Sequence, residues 1–321
     1  MKRHVLLWGP GIAGIMLIGC MSLDPFLFGG EKLDTCLFDS YGGEQECSDA
    51  IDSLEKYQQQ GLVASYTADH IHHYSLSSGN ETIAAVLVAP DTTLVNDTLI
   101  VYFHGKSQHI DYYWQRIRLL YATGYPVIAV DYRGFGMSTG SPDEQGLYED
   151  GQAVLDFARE NLGNPSVVIY GYSLGTMIAG EMASRTTNTA VIRLIFEAPI
   201  ASIETIVDDA AYLNLPGHYV TTFTGDNLEK IKRVTVPFFW LHGAEDETLA
   251  RKTHGVPLWE AYSGPLGISI KAIEATHRTV PRTVGYLRYV RAVEQFIESN
   301  GMLNFEPLFS DAPGIVWGIK E

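Results

Sequence analysis

One serine in this chain has the neighbours that nucleophilic chemistry needs. Ser173 lies within GYSLG at 171–175, after the apolar stretch 167–170 and before the Met- and Ala-rich stretch 176–185. The first stretch is typical of a buried strand and the second of a helix. Between a strand and a helix, Gly-x-Ser-x-Gly makes a turn so tight that glycines must flank the serine, whose hydroxyl projects at the helix N-terminus. The pattern predicts that Ser173 is a nucleophile.

A second Gly-x-Ser-x-Gly, GMSTG at 136–140, lacks this context. It follows the loop sequence DYRG and is followed by Pro142, so neither a strand nor a helix adjoins it. We therefore expect Ser138 to be a loop serine.

A serine hydroxyl is a weak nucleophile that needs a base, and the base needs a carboxylate to orient it. Two apolar strand-like stretches downstream of Ser173 supply both. The stretch 237–241 is followed by HGAEDE, which contains Asp246, and the stretch 268–273 is followed by EATH, which ends in His277. The expected assignment is Ser173 as nucleophile, His277 as base and Asp246 as the orienting acid.

Each assignment has a competitor. Glu245 is the main alternative to Asp246, because the acidic loop is also typical of a solvated surface. His242 ends a strand, where a structural role is expected, and the remaining rivals of His277 follow no strand: His218 and His254.

Acyl chemistry also needs two backbone amides aimed at the developing negative charge. One is expected from Leu174, directly after the nucleophile. The other is expected from Lys106, in the loop HGKS after the strand 99–103, where Gly105 permits close backbone approach. His104 in the same loop is expected to order the loop rather than to react.

The elements around these residues alternate. Two alternating stretches, 66–76 and 82–88, predict an antiparallel hairpin. Strands nearly all apolar then alternate with helices, which indicates an α/β protein with a mostly parallel sheet covered by helices on both faces. We predict strands at 99–103, 127–130, 167–170, 191–196, 237–241 and 268–273, and helices at 49–59, 112–122, 146–161, 176–185 and 282–298.

Several motifs in order, HGKSQ, DYRGFGMSTGSPDEQGLYEDGQAVLDF, GYSLG, LHGAEDETL and ATH, resemble the α/β-hydrolase superfamily over roughly residues 80–300. They are most similar to a serine-hydrolase branch that includes depalmitoylating enzymes and Bem46-like proteins. The resemblance implies the α/β-hydrolase fold and a serine esterase or thioesterase that acts on a small-molecule or acyl substrate. It also implies the triad Ser173, Asp246 and His277, with Lys106 and Leu174 as oxyanion donors, and neither cofactor nor metal.

This chain departs from that branch at Lys106, where the branch usually has Asn. The backbone donor survives the change, but the polarity of the pocket and the choice of substrate are altered. The aromatic residues 112–114 that follow the loop are candidates to line an acyl pocket; packing of a helix on the sheet is the alternative.

Other classes of function stay open. A non-catalytic envelope lipoprotein that uses the fold as a binding module is one, and a serine peptidase, acyltransferase or peroxidase is another. Nucleic acid is excluded as a partner, because a chain of 321 residues with a formal net charge of −16 would be repelled by phosphates.

The first residues have the layout of a secretory signal. Lys2 and Arg3 precede an apolar stretch broken by glycine and proline, and LIGC closes it at Cys20. This resembles a bacterial lipobox, so we expect a lipoprotein signal peptide over 1–19 and lipid on Cys20, with the protein anchored at the cell envelope, the outer membrane being favoured. The alternatives are an uncleaved anchor and an ordinary signal. The expected organisation then continues as a tether or lead segment over 20–60, an α/β-hydrolase domain over 61–299 and a C-terminal extension over 300–321.

The remaining cysteines, Cys36 and Cys47, flank Gly42 and Gly43. An even pair in an oxidising compartment predicts a disulfide, and two free thiols are the alternative.

The lipid anchor makes a prediction for Cys20→Ser expressed in a bacterial host. Because lipidation supplies about two or three acyl chains, enough for stable anchoring, the variant should leave the membrane fraction and remain active. Fractionation and N-terminal sequencing check this. A variant that stays membrane-bound with the N-terminus of the unmodified chain would show an uncleaved anchor instead.

Overall fold

The computed structural model of the chain describes residues 28–94, 97–185, 187–210, 221–299 and 303–320. The predicted signal segment and its lipidation site, Cys20, lie outside the described residues, as does His218. Within the described ranges, no helix is both long enough and apolar enough to cross a membrane.

The strands form where short apolar runs are buried from both sides. In chain order, the strands of the described residues are β1 (Ile71–Ser78), β2 (Glu81–Val88), β3 (Thr98–Phe103), β4 (Val127–Val130), β5 (Ser166–Tyr172), β6 (Val191–Glu197), β7 (Phe238–Gly243), β8 (Gly267–Ala272) and β9 (Ile315–Lys320). Every residue of β4 and β7 is buried, as sequence patterning predicted for the central strands.

These strands form one sheet in the order β1-β2-β4-β3-β5-β6-β7-β8-β9. The strands from β4 to β8 in that order pair in parallel, whereas β1 with β2, β2 with β4, and β8 with β9 pair antiparallel. The predicted mostly parallel sheet with an N-terminal antiparallel hairpin is therefore confirmed. Because parallel strands end at the same edge, the loops after β3, β5, β7 and β8 lie together.

Helices cover both faces of this sheet. In chain order, the helices of the described residues are α1 (Ala50–Gln59), α2 (Trp114–Tyr121), α3 (Glu144–Asn161), α4 (Gly175–Ser184), α5 (Ile203–Ala210), α6 (Asn227–Ile231), α7 (Gly255–Ala261), α8 (Val280–Val284), α9 (Tyr286–Glu298) and α10 (Glu306–Phe309). Two separate apolar cores result: Val154 of α3 and Ile178 of α4 belong to one, and Ile117 of α2 and Val293 of α9 belong to the other.

The C-terminal part differs from the sequence prediction in two places. The single helix expected over 282–298 is divided into α8 and α9 at Gly285, whose φ of +87° interrupts helical geometry. The tail, predicted as an irregular extension, supplies α10 and the edge strand β9, in which Trp317 lies opposite Ile270 of β8. The extension is thus part of the sheet.

The lead segment packs against the sheet and its helices over its described part, 28–60. The Phe38 amide donates to the Asp111 carboxylate at 3.2 Å, and Leu54 of α1 is fully buried. A segment expected to act as a spacer therefore contributes to the core.

The predicted disulfide between Cys36 and Cys47 is wrong, because both cysteines are free thiols. The Cys36 Sγ lies 3.6 Å from the Met137 Sδ, while the buried Cys47 Sγ lies 3.7 Å from the carbonyl oxygen of Arg278. Close spacing in sequence permits a small loop but does not set the distance and direction that a disulfide requires. Packing of the lead segment directs the two side chains to different partners.

A buried cluster of charged and hydroxyl groups joins the lead segment to the sheet. The Arg116 guanidinium of α2 donates to Glu44 Oε2 at 2.7 Å and to Glu197 Oε1 at 2.5 Å. The other Glu197 oxygen accepts from the hydroxyls of Tyr170 and Tyr289. Burial acts to lower the pKa of Arg116, but the two carboxylates outweigh it and hold that pKa well above its usual value.

We expect Arg116→Met to lower the free energy of unfolding by about 3–5 kcal/mol, since two buried carboxylates lose their cation. Urea denaturation followed by circular dichroism measures this. The matched control is Arg159→Met, because Arg159 pairs with Asp156 and Glu160 in solvent and should leave the midpoint unchanged. Equal midpoints for wild type and Arg116→Met would show that the cluster does not stabilise the fold.

Candidate active site

Ser173 lies in the turn between β5 and α4. Its φ is +52°, a region that non-glycine residues adopt only when the surrounding structure enforces it. The Ser173 amide donates to the carbonyl oxygen of Glu197 at 3.0 Å, which fixes the turn against the end of β6. The turn thus presents the serine hydroxyl at the edge where the parallel strands end.

The flanking glycines are required by space. A Cβ on Gly175 would lie 2.0 Å from the carbonyl oxygen of Phe103 in β3, and a Cβ on Gly171 would lie 2.7 Å from the Cα of Thr176. Neither clash involves a movable side-chain end, so only glycine fits at both positions. The reason given from sequence for Gly-x-Ser-x-Gly applies here in full.

The second Gly-x-Ser-x-Gly has the loop role expected of it. The Ser138 hydroxyl donates to the carbonyl oxygen of Asp131 at 2.5 Å and accepts from the Ala84 amide at 2.8 Å. The side chain is buried and engaged in fixing the loop to β2.

Three side chains from three strand ends form a continuous chain of hydrogen bonds. His277 Nε2 lies 3.0 Å from Ser173 Oγ, and His277 Nδ1 lies 2.8 Å from Asp246 Oδ2. An ionised carboxylate only accepts, so Nδ1 carries the proton and Nε2 has a lone pair directed at the serine hydroxyl. The structure therefore brings together the three residues that the sequence singled out. Glu245, the alternative acid, is exposed to solvent.

Asp246 is held as a carboxylate by four hydrogen bonds. Its Oδ1 accepts from the amides of Thr248 and Leu249 at 2.9 and 2.8 Å. Its Oδ2 accepts from His277 and also lies 3.2 Å from His242 Nε2. Burial acts to raise the pKa of Asp246, but these donors outweigh it and the pKa falls below its usual value.

The contact with His242 was missed by sequence reasoning. A structural role at the strand end was expected for this histidine, yet its ring touches the carboxylate that orients His277. The separation of four residues between His242 and Asp246 could not show this, because the contact depends on how the loop after β7 folds back.

His254, the other alternative base within the described ranges, faces elsewhere. Its Nδ1 accepts from the Ala201 amide at 3.1 Å, and burial lowers its pKa to about 4. A ring engaged in this way has no lone pair at Nδ1 for a proton from Ser173.

The loop after β3 lies beside the serine. His104 Nδ1 lies 2.7 Å from the carbonyl oxygen of Gly105, and the Tyr113 hydroxyl donates to the carbonyl oxygen of Lys106 at 3.1 Å. A Cβ on Gly105 would meet the Tyr113 hydroxyl at 2.8 Å and the Tyr172 ring at 3.1 Å. The loop needs glycine at this position, and His104 orders it as expected.

An apolar cavity of about 160 Å³ adjoins the serine, and burial there lowers the pKa of Lys106. The aromatic residues 112–114 do not line it, because Trp114 instead packs on Phe38 with ring centroids 4.5 Å apart. The cavity is lined by Phe28, Lys106, Ser173, Leu174, Ile200, Ile203, Ile206, Thr248 and Leu249.

Two contacts hold the His277 loop from below. The Arg116 guanidinium donates to the carbonyl oxygen of Arg278 at 2.8 Å, and the Tyr172 hydroxyl donates to the carbonyl oxygen of His277 at 3.3 Å. Arg116 also lies 3.9 Å from the centre of the Tyr172 ring. The buried cluster of the fold therefore reaches the candidate site.

Comparison with known proteins supports the same architecture. A family model described as the alpha/beta hydrolase fold matches residues 98–240. Human protein ABHD12B is 32% identical over 179 residues, which cover 50% of this chain and 49% of that protein. Mouse lysophosphatidylserine lipase ABHD12 is 28% identical over 186 residues, covering 52% and 47%. The chain thus spans about half the length of the curated relatives it matches.

Solved structures match over more of the chain. An esterase from Pyrococcus furiosus aligns with a TM-score of 0.63 at 14% identity, covering 85% of this chain and 97% of the esterase. Est1E from Butyrivibrio proteoclasticus, solved with ferulic acid bound, aligns with a TM-score of 0.56 at 19% identity, covering 70% and 97%. At these identities the likeness concerns the fold alone. The chain has the α/β-hydrolase fold, as the sequence motifs implied.

Proposed function

We propose that this protein is a serine hydrolase that cleaves carboxylic esters or thioesters through an acyl-enzyme on Ser173. The observation that carries the proposal is the chain of hydrogen bonds from Ser173 Oγ through His277 to Asp246, with distances of 3.0 and 2.8 Å, beside an apolar cavity. The names of the relatives, a lipase and esterases among them, agree with this class of reaction.

In the proposed reaction Ser173 Oγ attacks the carbonyl carbon while its proton passes to His277 Nε2. Collapse of the tetrahedral intermediate breaks the bond to the alcohol or thiol, which leaves with that proton. Water then gives a proton to the same nitrogen and attacks the acyl carbon, and the released Ser173 Oγ regains the proton. Asp246 stabilises the imidazolium in both halves.

The developing oxyanion is assigned to the amides of Leu174 and Lys106. Leu174 stands at the N-terminal end of α4, where the first amides have no partner within the helix. The Lys106 backbone is held beside it by the Tyr113 hydroxyl, and both residues line the cavity with Ser173. Amides placed in advance stabilise negative charge without reorganisation during the reaction.

The cavity supports an acyl substrate. Its side chains are mainly aliphatic, and it opens directly beside the nucleophile. An apolar acyl group placed there loses contact with water at about 25 cal/mol per Å² of buried surface, which favours binding.

We expect Ser173→Ala to lower kcat for short-chain aryl esters by several orders of magnitude and to abolish labelling by a fluorophosphonate probe, since both need the hydroxyl. The matched control is Ser138→Ala, from the second Gly-x-Ser-x-Gly, which should keep both properties per folded molecule. Undiminished turnover and labelling in Ser173→Ala would contradict the assignment.

The same probe separates the alternative functions. A folded wild-type sample that forms no adduct on any serine would favour the binding module. An adduct on Ser173 together with product transfer to an acceptor other than water would favour an acyltransferase.

A second prediction concerns the oxyanion loop. Gly105→Ala should lower kcat roughly 10–1,000-fold with a smaller change in KM, because the new methyl group must displace the loop that carries Lys106. Steady-state kinetics at constant active-site concentration measure this. Gly314→Ala is the control, since a Cβ there meets nothing within 4 Å. Equal kcat values for the two variants would remove Lys106 from the oxyanion site.

A further inference from the structure

His242 lies behind Asp246 in a chain of contacts that the proposed reaction does not use. The ring is fully buried at the end of β7. Its Nδ1 lies 3.1 Å from the indole Nε1 of Trp240, and its Nε2 lies 2.9 Å from the carbonyl oxygen of Leu249 and 3.2 Å from Asp246 Oδ2.

These partners determine where the proton of the ring resides. An indole N–H only donates, so His242 Nδ1 must accept from Trp240. The carbonyl oxygen of Leu249 and the carboxylate of Asp246 only accept, so Nε2 carries the hydrogen. A second proton on Nδ1 would point at the indole N–H. Trp240 therefore holds His242 as the neutral Nε2–H tautomer, a donor to Asp246.

One carboxylate oxygen thus serves two imidazoles, because Asp246 Oδ2 accepts from both His242 and His277. A donor on this oxygen fixes the orientation of the carboxylate. It also reduces the negative charge available to stabilise the imidazolium of His277 in the reaction.

We propose that His242 is a positioning residue that orients Asp246 and tunes how strongly Asp246 supports His277, with Trp240 setting its tautomer. The proposal rests on the proposed function for its kinetic consequence, but the state of the His242 ring can be measured without catalysis.

The other charged groups nearby do not substitute for this effect. His254, at the start of α7, faces His242 and lies 3.5 Å from Asp209, and burial lowers its pKa to about 4. Arg251 lies 4.5 Å over the Trp240 ring. Neither His254 nor Arg251 changes charge between about pH 5 and 8, so a shift in the pH profile over that range reports on Asp246 and its two imidazole donors.

The kinetic test uses His242→Phe, which keeps an aromatic ring and removes the donor. Activity on a short-chain aryl ester is measured against pH, per active site counted with a fluorophosphonate. We expect KM within about twofold, kcat lowered roughly 10- to 100-fold, and the acid limb of kcat/KM moved to higher pH. The control His72→Phe, on β1, should leave the limb in place. An unmoved limb in His242→Phe would overturn the tuning role, because partial unfolding alone lowers the number of active sites and not the limb.

The second test is nitrogen NMR of the imidazoles in the intact protein and in Trp240→Phe. The proposal expects His242 as the neutral Nε2–H tautomer throughout the folded range of wild type, and a second proton on it at acid pH once the indole is removed. A wild-type Nδ1–H tautomer, or identical titration in both proteins, would overturn it. If wild type hydrolyses no ester, the proposed function fails while this measurement still decides the role of Trp240.

Discussion

Arg116 connects parts of the chain that must lie in fixed positions for the candidate site to exist. Its guanidinium binds Glu44 of the lead segment, Glu197 at the end of β6 and the carbonyl oxygen of Arg278, next to His277. The Glu197 backbone in turn accepts from the Ser173 amide. A buried cation with two carboxylates is retained only if its geometry is satisfied, because breaking it leaves a charge without a partner. This cluster therefore links the position of the nucleophile to the position of the base.

Above that cluster, the turn at Ser173 combines backbone strain with close packing. A positive φ at a serine is unfavourable by about 1–3 kcal/mol, and the glycines at 171 and 175 permit the close approach of α4 and β3 that maintains it. The strand ends then place Asp246 and His277 without further strain, since parallel strands finish at one edge. The arrangement explains why the site needs the sheet, the lead segment and the His277 loop together.

Much of this could be predicted from the sequence, because chain order and strand ends determine which polar residues meet. Ser173, Asp246 and His277 each follow an apolar stretch, and that information is local. The pairing of Glu44 with Arg116 could not be predicted, since a single ion pair between distant segments leaves no periodic pattern. The same holds for β9, whose alternation is short and follows a proline-containing tail. The disulfide prediction failed because spacing in sequence says nothing about the direction of two thiols, and the break at Gly285 failed because a lone glycine is tolerated in many helices.

The central claim is that an acyl group is carried on Ser173, and acid-quenched mass spectrometry tests it most directly. Wild-type protein is mixed with an activated aryl ester, quenched within milliseconds, and its intact mass and peptides are measured. The account predicts a mass increase equal to one acyl group, located on the peptide that contains Ser173, that decays as water completes the reaction. An acyl group on another residue, or turnover with no covalent adduct at any time, would contradict it.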